Sequence, residues 1–206
     1  KFMQFILASQ SPERARLLAT LPYRFKIYPA NINESAIKFK NPRDKAKKIA
    51  LAKANAVAKN VAGEAIIVAA DTFCLCRGKI LEKPKSKAEA RKMLELQSQQ
   101  ELKAITGYAF IYQNSSKKII ENSSVATQVR FRHLSSPEIE NYISHQPVLT
   151  WSAAFSPAYD AGMALLAWSK GNLTAFTHGL PIDLLVEFIN QHLNLGVENK
   201  HHTDKP

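Results

Sequence analysis

Asp71 is the residue whose position most suggests chemistry, because it follows the continuous apolar run "AIIVAA" at residues 65–70. Such a run is typical of a strand that is buried on both faces, and ligands of open α/β sheets bind where the strands end. An ionised carboxylate is costly to bury without a partner. We therefore expect Asp71 to face an opening, a metal or a cation, although an aspartate that only caps a turn explains the position equally well.

Two lysines and a glutamate could line the same opening as Asp71. Lys83 stands in the extended pre-proline segment "LEKP" and could reach it. Lys53 interrupts the alanine-rich stretch "LAKANAVA", where a lysine can also lay its stem on the apolar face and keep its ammonium in water. Glu34 lies in the polar loop "PANINES", where the ordinary interpretation is a solvated side chain.

A hydroxyl-rich turn precedes the first predicted helix, in "ILASQSPERARLL" at residues 6–18. Ser9 and Ser11 end a strand and begin a helix, so hydroxyls and backbone N–H groups meet at the positive end of the helix dipole. Arg14 lies one turn further and could clamp a phosphate. A turn of this kind is more often a simple helix cap, with Ser11 as the N-cap.

The composition indicates a globular protein with a basic surface. The 206 residues are 46% hydrophobic and 22% charged, and 28 basic against 17 acidic residues give a net charge of +11. This balance favours polyanionic partners, but the lysines are dispersed and no aromatic platform accompanies them, which argues against nucleic acid. No window approaches the roughly 18 apolar residues that a membrane span needs.

The periodicity predicts strands alternating with helices and a long antiparallel hairpin at residues 104–113 and 119–132. We therefore expect an α/β protein with a mixed, twisted central sheet flanked by helices. Residues 147–178 have no clear pattern. Cys74 and Cys76 stand on one face of a predicted strand and are expected to be reduced core thiols, which favours a cytoplasmic location.

In combination these stretches resemble the Maf family of nucleoside triphosphate pyrophosphatases. The matching segments recur in the family's order over most of residues 5–188, and they are "LASQSPERARLL", "NINES", "LAKANA", "AADT", "GKILEKP", "AEARKML", "TGYAFIY", "VRFRHLSSPEIENYI" and "GLPIDLL". The resemblance implies a single domain at residues 1–197, with two lobes and a cleft between them, followed by a polar tail at residues 198–206.

The resemblance also implies an enzyme that hydrolyses a nucleoside triphosphate to the monophosphate and pyrophosphate. A divalent cation (Mg²⁺, Mn²⁺ or Co²⁺) would be its cofactor, held with a water by two carboxylates, one of which is the proton acceptor. A homodimer is compatible with the sequence, and no membrane partner is expected. The residues carried over are Glu34 and Asp71 for the metal; Asp71, Lys53 and Lys83 for catalysis; and Ser9, Ser11, Glu13, Arg14 and Thr72 for substrate.

Three features depart from the family pattern. Glu13 stands where the family has an arginine or an aromatic residue, at a position linked to substrate choice. The segment "WSAAFSPAYDAG" at residues 151–162 replaces the family's base-reading segment, and "QSQQEL" replaces its "SGxxH". Thr72, in contrast, resembles the branch that acts on dTTP and UTP. The reaction type is therefore better specified than the base, and a non-canonical or modified nucleotide is open as the substrate. The alternative functions are a catalytically weak nucleotide sensor and a nucleic-acid-binding protein.

Overall fold

A computed structural model describes residues 3–158 and 160–193. Most predicted elements are present, and the region without a clear pattern contains one strand, two short α-helices and two 3-10 helices. The strands are β1 (Gln4–Leu7), β2 (Lys26–Ile27), β3 (Ala65–Cys76), β4 (Lys79–Leu81), β5 (Glu101–Gln113), β6 (Lys118–Phe131) and β7 (Leu166–Lys170). The α-helices are α1 (Pro12–Leu18), α2 (Pro42–Ala58), α3 (Lys87–Gln97), α4 (Ser136–His145), α5 (Asp160–Met163), α6 (Leu173–His178) and α7 (Ile182–Leu193). Short 3-10 helices span Glu34–Ala36, Val148–Thr150 and Ser152–Ala154.

The seven strands form one mixed sheet in the order β2-β1-β3-β5-β6-β7, and β4 pairs with β3. β1 is parallel to both β2 and β3, whereas β3–β5, β5–β6 and β6–β7 are antiparallel. The expected mixed α/β sheet with its long hairpin is thus confirmed.

The edge of β3 is open where the site lies. β1 pairs with β3 as far as Leu7 opposite Val68, and β4 pairs with the same edge from Leu81 opposite Cys74. Residues 69–73 between these two ladders have a strand neighbour on one side only, which is β5. The expectation that the strand ends at Asp71 was wrong: Asp71 lies within β3, and the opening arises because β1 ends before it.

The hydrophobic core is divided among the two faces of the sheet and a separate lobe. One face of β3 and β5 packs against α2, and the other face packs against α1 and α7. The far ends of β3, β5 and β6 pack instead with α3 and α4. The open edge of β3 therefore lies between two groups of packed elements, in agreement with the two lobes that the resemblance implied.

Close packing fixes the position of α2 on the sheet. Gly107 in β5 lies so near the backbone of Ala46 that a Cβ at this glycine would overlap it, at 2.1 Å from the carbonyl carbon. Ala50 and Ala54, on the same helix, are fully buried. Small residues on both elements thus let the backbones meet, and this contact sets where α2 carries Lys53.

The two cysteines are free and buried, as expected. Burial raises the pKa of the Cys74 thiol to about 12, with Cys76 adding to the shift. Within residues 3–158 and 160–193, no helix is long and apolar enough to cross a membrane. The predicted tail at residues 198–206 lies outside the described residues.

Candidate functional site

Lys53 joins two carboxylates that come from distant parts of the chain. Its Nζ lies 2.9 Å from Oδ1 of Asp71 and 2.9 Å from Oε1 of Glu34. The Lys53 and Asp71 side chains are 16% and 17% exposed, whereas that of Glu34 is 47% exposed. The ammonium of Lys53 therefore bridges the two carboxylates, and Asp71 faces a cation.

Arg14 is the second basic group of the site. Its Nε donates to the carbonyl of Gly179 at 2.9 Å, its Nη1 to Ser9 Oγ at 3.0 Å and its Nη2 to Thr72 Oγ1 at 3.4 Å. Burial of the guanidinium lowers the pKa of Arg14, while the charges of Asp71 and Glu34 oppose that shift. The guanidinium of Arg14 thus interacts electrostatically with both carboxylates.

The two serines of the turn stabilise the start of α1. Ser11 is the N-cap, and its Oγ accepts from the backbone N–H of Arg14 at 3.5 Å. Ser9 Oγ accepts from the N–H of Ser11 at 3.2 Å as well as from the Arg14 guanidinium. The predicted helix cap is confirmed, and it places Ser9 and Arg14 side by side.

Glu13 forms an ion pair with Arg16, whose Nη2 lies 3.0 Å from Glu13 Oε2. The same nitrogen donates to the carbonyl of Ala158 at 3.4 Å and lies 3.4 Å from Nε2 of His178. Burial lowers the pKa of His178, the charge of Arg16 lowers it further, and Glu13 opposes both effects. Glu13 and Arg16 therefore lie where α1 meets α6 and the segment at residues 151–162, a contact that the sequence alone did not predict.

Lys83 is exposed and lies two residues beyond β4. The pairing of β4 with β3 ends at Leu81, opposite Cys74, and the carbonyl of Glu82 accepts from the backbone N–H of Ala153 at 3.1 Å. Among the described residues, no hydrogen bond or ion pair holds the Lys83 ammonium. The structure does not bring Lys83 into contact with the Lys53 group, although β4, which ends two residues before it, pairs with the same edge of β3.

The chemistry of Glu34 and Asp71 suits a hard divalent cation. Mg²⁺ is usually held by one or two carboxylates, with substrate phosphates and water completing its shell. No cluster of three or more His, Cys, Asp or Glu side chains that could bind a metal occurs in the described part of the chain. The carboxylate pair therefore fits a cation that shares its remaining ligands with a phosphate, and not a site built only from protein.

Two contributors to the site were not among the predicted residues. Gly179 ends α6 in a left-handed conformation (φ +69°), and a Cβ there would lie 3.0 Å from Thr72 Oγ1 and 3.2 Å from Arg14 Nη2. Thr106 is buried in β5, and its hydroxyl contacts that of Thr72 at 3.0 Å. A threonine in the otherwise apolar stretch "AITGYAFIY" is the only sequence signal for it.

The fold and the site together define an α/β protein with an open mixed sheet, in which two carboxylates and two basic side chains meet beside the open edge of β3. The family model described as "Maf-like protein" matches residues 4–192, so the chain belongs to the Maf family, as the resemblance indicated. The chain is 46% identical over 186 residues to the dTTP/UTP pyrophosphatase of Pyrococcus furiosus, covering 90% of this chain and 94% of that protein. It is 39% identical to the dTTP/UTP pyrophosphatase of Pyrococcus horikoshii, with coverages of 90% and 95%. A dTTP/UTP pyrophosphatase of Moorella thermoacetica is 33% identical, with coverages of 90% and 93%.

Proposed function

We propose that this protein is a nucleoside triphosphate pyrophosphatase that hydrolyses dTTP and UTP to the monophosphate and pyrophosphate. The observation that carries the proposal is the pair of 2.9 Å contacts from Lys53 to Glu34 and Asp71, beside the Arg14 guanidinium. This arrangement supplies carboxylates for a metal and a water, and cations for the phosphates. The names of its relatives support the same substrates.

In the proposed reaction, a water oxygen attacks the α-phosphorus while the bond from this phosphorus to the bridging oxygen breaks. The electron pair of that bond leaves with pyrophosphate, and the proton of the water passes to the carboxylate of Asp71. Transfer of this kind is accelerated mainly by positioning and by fixed charges where negative charge develops. Arg14, Lys53 and Lys83 would supply those charges, and Ser9, Ser11 and Thr72 would line the phosphate end of the site.

A divalent cation on Glu34 and Asp71 would lower the pKa of a bound water and neutralise phosphate charge. Lys53 contacts both carboxylates, so it would hold them in place for that cation and for the triphosphate. Glu34 is half exposed at the edge of the site, where a cation carrying its own water shell can approach.

Base selection involves Thr72, Glu13 and the segment at residues 151–162. Thr72 and the relatives' names favour dTTP and UTP, whereas the segment at residues 151–162 differs from the family's base-reading segment. Glu13, which is tied through Arg16 to Ala158 of that segment, is proposed as a base-reading residue. A carboxylate can only accept hydrogen bonds, so it would select an N–H group on the base.

Pyrophosphate release from a nucleotide panel tests this function. We expect turnover of dTTP and UTP with Mg²⁺, Mn²⁺ or Co²⁺, slower turnover of CTP and GTP, and none in the presence of a chelator. Binding of dTTP without pyrophosphate release would instead support a nucleotide sensor. Binding of RNA or DNA with no effect of dTTP would support a nucleic-acid-binding protein.

A homodimer and a cytoplasmic location remain predictions of the sequence. The free, buried thiols of Cys74 and Cys76 are consistent with a reducing compartment. Sedimentation of the purified protein would measure its oligomeric state directly.

A further inference from the structure

A chain of hydrogen bonds runs from Arg14 through two threonines to the backbone of α6. Arg14 Nη2 lies 3.4 Å from Thr72 Oγ1, which lies 3.0 Å from Thr106 Oγ1. Thr106 Oγ1 in turn lies 3.2 Å from the carbonyl oxygen of Ala175 in α6. Thr106 is 1% exposed, so no solvent competes for its hydroxyl.

The carbonyl of Ala175 fixes the direction of this chain. A carbonyl oxygen can only accept, and a threonine hydroxyl has a single proton. The hydroxyl of Thr106 therefore donates its hydrogen bond to the carbonyl of Ala175. The contact between the two threonines is then a hydrogen bond only if Thr72 is the donor. On the side of Arg14, the hydroxyl oxygen of Thr72 then has only lone pairs, so it can only accept a hydrogen bond from the guanidinium.

The consequence for Arg14 is a fixed orientation. Its three nitrogens donate in three directions, to Gly179, Ser9 and Thr72. If the proton of Thr72 were not held by Thr106, it could rotate toward the guanidinium, and a donor would then face a donor. Since a misplaced charged group is costly at a site that must match a transition state, the orientation of this hydroxyl bears on function.

We propose that Thr106 is a positioning residue, which holds the Thr72 hydroxyl as an acceptor and so keeps the Arg14 guanidinium aimed at the phosphates. This inference rests on the proposed function, because it assigns Arg14 to phosphate binding. Thr106 itself is buried behind Thr72 in β5 and contacts no ligand in this scheme.

Thr127 offers a matched control. It is a second buried threonine, 3% exposed, on the neighbouring strand β6, and its hydroxyl donates to the carbonyl of Asn172 at 2.8 Å. Asn172 caps the start of α6. Both threonines thus anchor α6 through a hydroxyl-to-carbonyl bond, but only Thr106 also contacts Thr72.

The test compares Thr106→Val, Thr106→Ser and Thr127→Val with the unmodified protein. We measure kcat and KM for dTTP, the dissociation constant of inorganic pyrophosphate by calorimetry, and the melting temperature. Loss of one neutral hydrogen bond predicts a fall of about three- to tenfold in kcat/KM for Thr106→Val. Pyrophosphate should also bind more weakly by a similar factor, and Thr106→Ser should restore both values to within about twofold.

Thr127→Val should leave kcat/KM and pyrophosphate affinity within about twofold of the unmodified protein, even if it lowers the melting temperature. The proposal is overturned if Thr106→Val binds pyrophosphate normally, or if Thr127→Val causes the same loss. If Thr106→Val does not fold, Thr106→Ala and Thr127→Ala are compared in the same way. Failure of the unmodified protein to cleave dTTP would refute the proposed function alone, because the pyrophosphate measurement does not depend on turnover.

Discussion

Replacement of Lys53 by methionine removes the ammonium that contacts both Glu34 and Asp71 and nearly keeps the length of the side chain. The structure gives this ammonium two carboxylate contacts at 2.9 Å, on a side chain that is 16% exposed. A hydrogen bond to a charged group contributes about 1.5–3 kcal/mol. At about 1.36 kcal/mol for each factor of ten, loss of one such contact in the transition state predicts a fall of roughly ten- to 150-fold in kcat/KM.

The assay is steady-state release of pyrophosphate from dTTP at saturating Mg²⁺, with the melting temperature measured in parallel. Lys48→Met is the matched control, because Lys48 lies on the same helix and pairs with Asp44 at 2.9 Å, with its side chain 44% exposed. An exposed pair of this kind contributes about 0–1 kcal/mol to stability, and its loss should leave kcat/KM unchanged. If Lys53→Met keeps kcat/KM within about threefold and only the melting temperature shifts, Lys53 serves the fold and not the reaction.

Three further changes test other parts of the site and fold. Glu13→Ala should reduce discrimination among dTTP, UTP, CTP and GTP by about 1–3 kcal/mol, and a uniform change in kcat/KM would restrict Glu13 to its ion pair with Arg16. Lys83→Ala should lower kcat/KM for dTTP by about tenfold or more, and an equal loss in Lys85→Ala would show only a general effect of surface charge. Hydrogen bonds from the backbone N–H of Ser135 and from the Arg132 guanidinium lower the pKa of Glu138 from 4.5 to about 2. Its carboxylate therefore stabilises the folded state above pH 4.5, and this stabilisation is lost as the pH falls toward 2. Glu138→Gln should lower the melting temperature at pH 7 and have a much smaller effect at pH 2, and an effect independent of pH would contradict this cause.

The elements of the fold were largely predictable because their signals are local. The apolar run at residues 65–70 and the long hairpin depend on residues that are close in sequence, and the structure contains both. The region at residues 147–178 was not assigned, because its short elements are stabilised by distant partners. Strand β7, for example, is held by its pairing with β6.

The site was only partly predictable for the same reason. Asp71 was singled out correctly as facing a cation, but for the wrong local cause, since β3 does not end there. The opening depends on where β1 and β4 end along the same edge of β3. The residues next to Asp71 in the sequence do not indicate where those two strands end. Lys53 and Glu34 were indistinguishable from surface residues until the resemblance to the Maf family was considered. Thr106 and Gly179 act through contacts with residues far away in the sequence, so local patterns do not single them out.

Identification of the products formed from dTTP, in the unmodified protein and in Asp71→Asn, tests the central claim most directly. The claim predicts dTMP and pyrophosphate in equal amounts, in a reaction that requires a divalent cation. It also predicts a fall in kcat of about 100-fold or more in Asp71→Asn, the range expected when a general base is lost, with little change in the affinity for dTTP. Formation of dTDP and phosphate, or a kcat for Asp71→Asn within about threefold of the unmodified protein, would contradict it.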